Sequence, residues 1–344
     1  MLMDRELERY SRQILFPGVG EAGQRKLRAA RVLLVGCGAL GSNIANTMVR
    51  AGVGRLTIVD RDFLELNNLQ RQVLFDEEDV ARSLPKAIAA AEKLRKINSQ
   101  VEVVPLVADV NPGNIEQLVR EADLVMDGTD NFETRYLIND ACVELGKPWT
   151  YGGVLASYGV TMTIVPHETP CLRCIFPDSP PPGTTPTCDT AGILASIASV
   201  IASMECVEAI KLLVGAREKV NRGLIWVDLW ENSFENPLGG QIAPDCPTCV
   251  QGNYEFLEAR EGTRTTSLCG RDAVQVSVRG AASVSFPELA KRLGSVGQVQ
   301  YNEYMLRFQV DGYELVVFPD ARTLVRGTTD ETLARTLYAR YVGA

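Results

Sequence analysis

The stretch that most constrains the fold is Gly36-Cys37-Gly38-Ala39-Leu40-Gly41, which follows the apolar run Val32-Leu33-Leu34-Val35. A second apolar run, Leu56-Thr57-Ile58-Val59, ends on Asp60. A strand, a glycine turn and a helix in that order set backbone N–H groups around a phosphate. An acid about 20 residues further on suits a ribose hydroxyl. Alone, the turn fits NAD or FAD as well as a nucleoside triphosphate. Arg71, in Asn67-Asn68-Leu69-Gln70-Arg71-Gln72, and Lys86 follow the acid, and an arginine fork suits further phosphate. Asp130 stands in Gly128-Thr129-Asp130-Asn131, behind an apolar run at 123–127. Ligands of open α/β sheets bind off the carboxyl ends of the strands, where these residues would meet. Two cations and a carboxylate there match phosphoryl or nucleotidyl transfer, with the carboxylate holding Mg2+. The plainer readings are a solvated helix-face lysine for Lys86 and a helix N-cap for Asp130.

Around this motif, apolar strands alternate with helical patterns. Strands are expected at 31–36, 56–60, 101–107, 123–127, 148–152 and 158–165, and helices at 41–51, 85–97, 113–121 and 131–145. Pro85 suits the first turn of its helix, with Ser83 near the N-cap. The alternation predicts an α/β fold with a doubly wound, mostly parallel, Rossmann-like sheet. Residues 4–30 read as two short helices. Seven prolines between 166 and 190 argue against a regular helix or central strand there and make a long crossover loop. A helix of small apolar residues follows at about 191–213, then a strand at 224–230.

The 344 residues suffice for one large and one small domain. The composition shifts after Cys249, which divides the chain into a nucleotide-binding domain, 1–250, and a small α+β domain, 253–344. The tail shows strands at 273–279, 304–310 and 313–318, helices at 286–293 and 329–341, and a hairpin signal at Asp311-Gly312. A formal net charge of −8 argues against nucleic acid as the main partner. No run of 18 apolar residues marks a membrane span. The charged start, Met1-Leu2-Met3-Asp4-Arg5-Glu6, lacks the apolar core of a signal peptide, so the expected location is the cytoplasm.

The nine cysteines then read as ligands or reactive thiols rather than disulfides. Cys171-Leu172-Arg173-Cys174 and Cys246-Pro247-Thr248-Cys249 are two C-x-x-C pairs, the donor set of a four-thiolate zinc site. Their 71-residue separation exceeds that of a compact zinc ribbon, so the pairs would pin a long loop to a distant segment. Four thiolates leave no position for water, which makes the site structural. Cys188 ends the proline-rich loop before a helix, where a thiol pKa falls, although Asp189 opposes this. Cys37, Cys142 and Cys206 read as packing residues, and Cys269 is open to either reading. His167 is the only histidine, so a Ser-His-Asp triad and His-based metal catalysis are excluded.

Together Arg9-Tyr10-Ser11-Arg12-Gln13, the glycine turn, Asp60, Asn68-Leu69-Gln70-Arg71-Gln72, Pro85-Lys86, Thr129-Asp130-Asn131 and the two cysteine pairs resemble the ThiF/MoeB family of adenylyltransferases, relatives of the ubiquitin-activating enzymes. The resemblance covers roughly residues 3–250. It implies ATP-dependent adenylylation of the C-terminal Gly-Gly carboxylate of a small ubiquitin-like, β-grasp sulfur carrier protein, with release of pyrophosphate. Thiamine, molybdopterin or related biosynthesis would use the sulfur. By position, Gly36, Gly38 and Gly41 would wrap the nucleotide and Asp60 would hold its ribose. Asn68, Arg71 and Lys86 would contact the phosphates, and Asp130 would bind Mg2+. Arg12 matches an arginine that reaches the partner subunit's ATP, implying a homodimer. Cys171, Cys174, Cys246 and Cys249 match zinc ligands. Cys188 matches a cysteine that in some members bonds to the carrier or to sulfur, which leaves room for a sulfur donor such as a cysteine desulfurase or rhodanese. Ala39 replaces a frequent glycine. The tail 253–344 is absent from short bacterial members and is not a rhodanese pattern. Rival readings are an NAD oxidoreductase, which lacks a suitably spaced acid or base here, and a non-catalytic zinc-stapled nucleotide-binding scaffold.

Overall fold

The computed structural model describes residues 7–178, 188–238, 240–258, 264–268, 273–277 and 284–342. By their contacts these fall into two units. The first holds the described residues up to 178 and from 193 to 258; the second holds 188–192 and those from 264 onward.

The first unit is built on an eight-stranded sheet of order β3-β2-β1-β4-β5-β6-β7-β8. The strands are β1 (Arg31–Val35), β2 (Arg55–Val59), β3 (Glu102–Leu106), β4 (Leu124–Asp127), β5 (Trp149–Leu155), β6 (Tyr158–Ile164), β7 (Leu224–Asp228) and β8 (Ser233–Leu238). β3, β2, β1, β4 and β5 pair in parallel, and β6, β7 and β8 extend the sheet antiparallel. The parallel strands are near-continuous apolar runs because helices cover both faces. β4 is buried at every position. Strand order reverses between β1 and β4, so their carboxyl ends open the crevice where such sheets take ligands.

The helices are α1 (Ser11–Ile14), α2 (Gly20–Ala29), α3 (Ala39–Ala51), α4 (Glu77–Ala81), α5 (Lys86–Ile97), α6 (Ile115–Arg120), α7 (Phe132–Glu144), α8 (Leu172–Ile175), α9 (Cys188–Ala191), α10 (Ala195–Val214), α11 (Glu255–Glu258), α12 (Phe286–Leu293) and α13 (Glu331–Tyr341). α9, α12 and α13 belong to the second unit.

The second unit is a six-stranded antiparallel sheet of order β11-β12-β13-β14-β10-β9. Its strands are β9 (Arg264–Leu268), β10 (Ala273–Ser277), β11 (Gln298–Tyr301), β12 (Leu306–Val310), β13 (Tyr313–Val317) and β14 (Thr323–Arg326). Helices α12 and α13 supply Phe286, Leu289, Leu293 and Leu337 to a core with Val274, Phe308, Leu315 and Val325. Asp311 (φ 48) and Gly312 (φ 82) are both left-handed and close the β12–β13 hairpin, as their dipeptide requires.

Several expected boundaries move for physical reasons. Ser83 is left-handed (φ 51), and Pro85 is itself the N-cap, because the Lys86 N–H is taken by Asp62 O at 2.9 Å. The helix expected from 191 starts at Ala195: Gly192 (φ 76) breaks the chain and Ile193 bridges to Ala156. The strand expected to reach 230 ends at Asp228, whose Oδ1 accepts from Trp230 N and turns the chain into β8. Much of the proline-rich loop, residues 179–187, lies outside the described residues, as does Cys269.

Candidate functional site

The three turn glycines do different work. Gly36 is left-handed (φ 87), and a Cβ on it would lie 2.7 Å from Gly128 O. A Cβ on Gly41 would lie 2.1 Å from Gly36 O, so this glycine lets α3 close onto the turn. Around Gly38 only Gln72 Nε2 comes within 4 Å of a Cβ, at 3.9 Å. The backbone is therefore open at Gly38, where a phosphate could approach.

Asp60, at the end of β2, is 8% exposed. Its Oδ2 accepts from Cys37 N at 2.6 Å and its Oδ1 from Asp62 N at 2.7 Å, tying this acid to the glycine turn. Burial pushes its carboxyl above the usual range, and Lys86 pulls it back. Lys86 is 3% exposed, opens α5, and places Nζ 3.1 Å from Asp62 Oδ2. Arg61 reaches Asp109 Oδ1 at 2.8 Å. Burial works against the Arg61 charge, but Asp109, Asp62 and Asp130 together raise its pKa.

Asp130 leaves the end of β4, exposed. The cap of α7 is Asn131, whose Oδ1 accepts from Thr134 N at 2.9 Å. Among the described residues the Asp130 carboxylate therefore accepts no hydrogen bond, and a hard oxygen donor left open at this position fits Mg2+. Beneath it, sequence reading missed a buried pair. Arg135 Nε donates to Asp127 Oδ2 at 3.0 Å, and Nη2 donates to Thr129 O at 2.7 Å and Gly152 O at 2.9 Å. Burial pushes Asp127 upward, while Arg135 and the Thr129 donors oppose that shift. Removing one partner of such a pair costs about 3–5 kcal/mol. The available signal was charge itself: Asp127 and Arg135 sit in segments otherwise expected to be buried, and buried charge requires a partner.

The remaining motif residues divide similarly. Asn68 is buried and closes a one-turn 3-10 helix, accepting from Glu65 N and donating to Asn67 Oδ1. Arg71 is half-buried and donates to Asn67 O at 2.9 Å. In the first motif Tyr10 packs inside and accepts from Asn98 Nδ2, and Gln13 donates to Ala51 O. Arg12, exposed on α1, makes no hydrogen bond or ion pair to other described residues of the chain.

The four cysteines of the C-x-x-C pairs meet. Sulfur separations are 3.5 Å for Cys171–Cys246, 3.4 Å for Cys174–Cys249 and 3.9 Å for Cys171–Cys174, and all four sulfurs lie within 4.8 Å of one another. Zinc bound at about 2.3 Å by four thiolates sets sulfurs about 3.8 Å apart, so the cluster is compatible with a four-thiolate site. α7 anchors both halves: Asn139 Oδ1 accepts from Leu172 N, and Asp140 accepts from Thr248 Oγ1 and Phe256 N.

Cys188 opens the four-residue α9 and is half-buried. One turn carries little macrodipole, so the helix-terminus argument for a lowered thiol pKa loses force here. Cys37, Cys142 and Cys206 are buried, and burial pushes each thiol up, as packing residues require.

Residues 10–248 match the ThiF family. The chain belongs to the ThiF family. A family member in Bacillus subtilis, the sulfur carrier protein ThiS adenylyltransferase, is 42% identical over 97% of this chain and 99% of its own length, so the similarity includes the C-terminal unit. The SAMP-activating enzyme E1 of Haloferax volcanii is 40% identical over 74% of this chain and 92% of its own. Among solved structures, E. coli MccB with ATP superposes with a TM-score of 0.60 at 25% identity, over 71% of this chain and 74% of that one. Family membership and these relatives make the chain an adenylyltransferase, an enzyme that uses ATP. No helix among the described residues is long and apolar enough to cross a membrane.

Proposed function

We propose that this ThiF-family enzyme adenylylates the C-terminal Gly-Gly carboxylate of a small ubiquitin-like sulfur carrier protein. The observation that carries the reading is the reversal between β1 and β4, where Asp60 bonds to the glycine turn, Lys86 bonds to Asp62 close by, and Gly128, two residues before Asp130, packs against Gly36 and Gly41. The ATP ribose rests on Asp60, and its phosphates lie along the open turn at Gly38 toward Asn68, Arg71 and Lys86. Asp130 would hold Mg2+, which would supply neutralising charge to those phosphates. A carboxylate oxygen of the carrier attacks the α-phosphorus. The P–O bond to pyrophosphate breaks, and the acyl-adenylate remains.

Attack of one anion on another is the difficulty, and preorganised cations offset it in the transition state. Lys86 is held in place by Asp62 and needs no reorganisation to serve there. No general base is required, because a carboxylate is ionised at pH 7; a chain with one exposed histidine loses nothing thereby.

In this reading the enzyme is a cytoplasmic homodimer, since the reaction consumes ATP and Arg12, exposed on α1, pairs with no other described residue of the chain. A zinc ion on the four cysteines pins the loop before the crossover, and sulfur reaches the activated carrier from a desulfurase- or rhodanese-type donor, for thiamine, molybdopterin or a related product. ATP–pyrophosphate exchange tests the reaction. Label should enter ATP only when a Gly-Gly-ending carrier of the source organism is present. Nucleotide binding without exchange against any such carrier would leave a scaffold and refute the enzyme reading.

A further inference from the structure

β4 and β5 pair at only two positions, Val125–Trp149 and Met126–Thr150, and then part. Arg135 fills the gap. Its guanidinium joins Thr129 O on one side to Gly152 O on the other, and Asp127 fixes its Nε. The ring of Tyr151 lies 5.3 Å from its Cζ, and that of Phe132 lies 5.6 Å away. Asp127 Oδ1 then accepts from both Thr129 N and Thr129 Oγ1, at 2.8 and 2.6 Å. Thr129, immediately before Asp130, is thus held through three hydrogen bonds that end on this one pair, while Gly128 N donates to Val35 O.

The Asp130 side chain itself has no such support; its position is inherited from Thr129. The pair is 6% exposed at Arg135 and fully buried at Asp127. A buried pair is weak as a source of stability. Three of its hydrogen bonds are directed at Thr129, the residue before the open carboxylate of Asp130.

We propose that Arg135 is the positioning residue for Asp130, acting on the metal–nucleotide solely by fixing the Thr129 carbonyl and the turn behind it. The proposal rests on Asp130 as the metal-binding carboxylate of the proposed reaction. A rigid turn matters because a hard cation held by one carboxylate has no second protein ligand to correct its placement.

The full-length chain tests this with Arg135→Lys, which keeps the charge but not the fork, and Asp127→Asn, which keeps the shape. Mn2+ uptake in the presence of ATP is read by electron paramagnetic resonance, alongside exchange rate and thermal melting. Losing an outer-shell partner should weaken Mn2+ uptake about tenfold or more in either variant, with the fold retained. Placed on Asp130→Ala, Arg135→Lys should add no further loss of exchange, because both act through one group. Additive losses, or unchanged Mn2+ uptake in folded variants, overturn the proposal. Failure of both variants to fold assigns the pair to stability alone and overturns it too. If the wild-type chain binds Mn2+ with ATP yet never exchanges, the adenylation reading falls while the Mn2+ comparison still decides the role of Arg135.

Discussion

Arg135 and Asn139 stand four residues apart on α7 and serve two different sites. Arg135 donates to Thr129 O at 2.7 Å, beside the nucleotide crevice, and Asn139 Oδ1 accepts from Leu172 N at 2.9 Å, between the first two clustered cysteines. One buried helix therefore fixes the turn before Asp130 and the loop that enters the four-cysteine cluster. This arrangement explains why a four-cysteine cluster remote in sequence from the glycine turn belongs to the same unit.

The roles given to Asp130 and Arg71 predict that Asp130→Ala and Arg71→Ala each slow ATP–pyrophosphate exchange on the order of 10²-fold or more, the effect of removing a transition-state electrostatic partner. Asp130→Ala should also raise the Mg2+ concentration needed for half-maximal rate. Near-normal exchange in both variants contradicts the assignment.

Much of this site was legible because glycine and cysteine carry meaning without neighbours. Gly36, Gly38 and Gly41 announce a turn by spacing, and the paired C-x-x-C motifs announce a tetrahedral donor set. The Asp127–Arg135 pair was not legible as a pair: Gly152 comes beside Thr129 only once β5 lies against β4. Glu205 was hidden among small residues of a helix whose period shows little amphipathy, because its exposed positions also carry small or apolar residues such as Ser203 and Val207. In the second unit, β9, β11 and β14 are only four or five residues long, too short for alternation to register. Hairpin β12–β13 was readable because Asp311-Gly312 marks its turn.

The cysteine cluster predicts one zinc per chain. Elemental analysis of metal-replete protein should return a 1:1 ratio, and Cys171→Ser/Cys246→Ser should retain less than a tenth of it. Because metal binding is coupled to local folding, a strong chelator should lower the melting temperature of the wild type and leave that variant nearly unchanged. Full zinc retention in the variant would falsify the ligand set.

Glu205 predicts a pH signature. It is fully buried on α10, its Oε2 accepts from Thr150 Oγ1 at 3.1 Å, and its Oε1 has no hydrogen-bond partner. Burial, with Asp127 adding to it, holds its pKa well above the ordinary value of 4.5. The folded state thus keeps a proton that the unfolded chain releases, so this group's contribution is complete below 4.5 and is lost as pH rises toward the folded value. Glu205→Gln is neutral throughout. Its stability relative to wild type should grow by up to about 1.4 kcal/mol per pH unit across that window. Denaturant melts at pH 4.5, 6 and 7.5 measure it, and parallel curves would show that Glu205 ionises alike in both states.

Arg12 predicts catalysis shared between subunits. Tyr10 and Gln13 spend their polar groups inside the chain, while Arg12 on the same short helix as Gln13 is exposed. Mixing an Arg12→Ala chain with an Asp130→Ala chain should restore up to about a quarter of sites, if chains exchange and pair statistically. No recovery in confirmed heterodimers places Arg12 in its own subunit's site or outside the reaction.

Cys188 predicts a division of labour. The acyl-adenylate forms by carboxylate attack and needs no thiol, so Cys188→Ser should keep ATP–pyrophosphate exchange within about twofold of wild type, as expected when a group is not used in that transition state. A thiolate could act only afterwards, attacking the adenylate carbonyl to expel AMP and leave a thioester with the carrier. That adduct should disappear on treatment with hydroxylamine or excess thiol, and it should be absent from Cys188→Ser. The one-turn α9 gives the thiol little help from a helix terminus, and the proposed role places its attack after the adenylate has formed. Adduct formation should therefore require both ATP and carrier rather than carrier alone. Collapse of exchange in a folded Cys188→Ser chain would put the residue in the first step. A wild-type chain that transfers sulfur with no adduct at any stage would reduce Cys188 to a structural role.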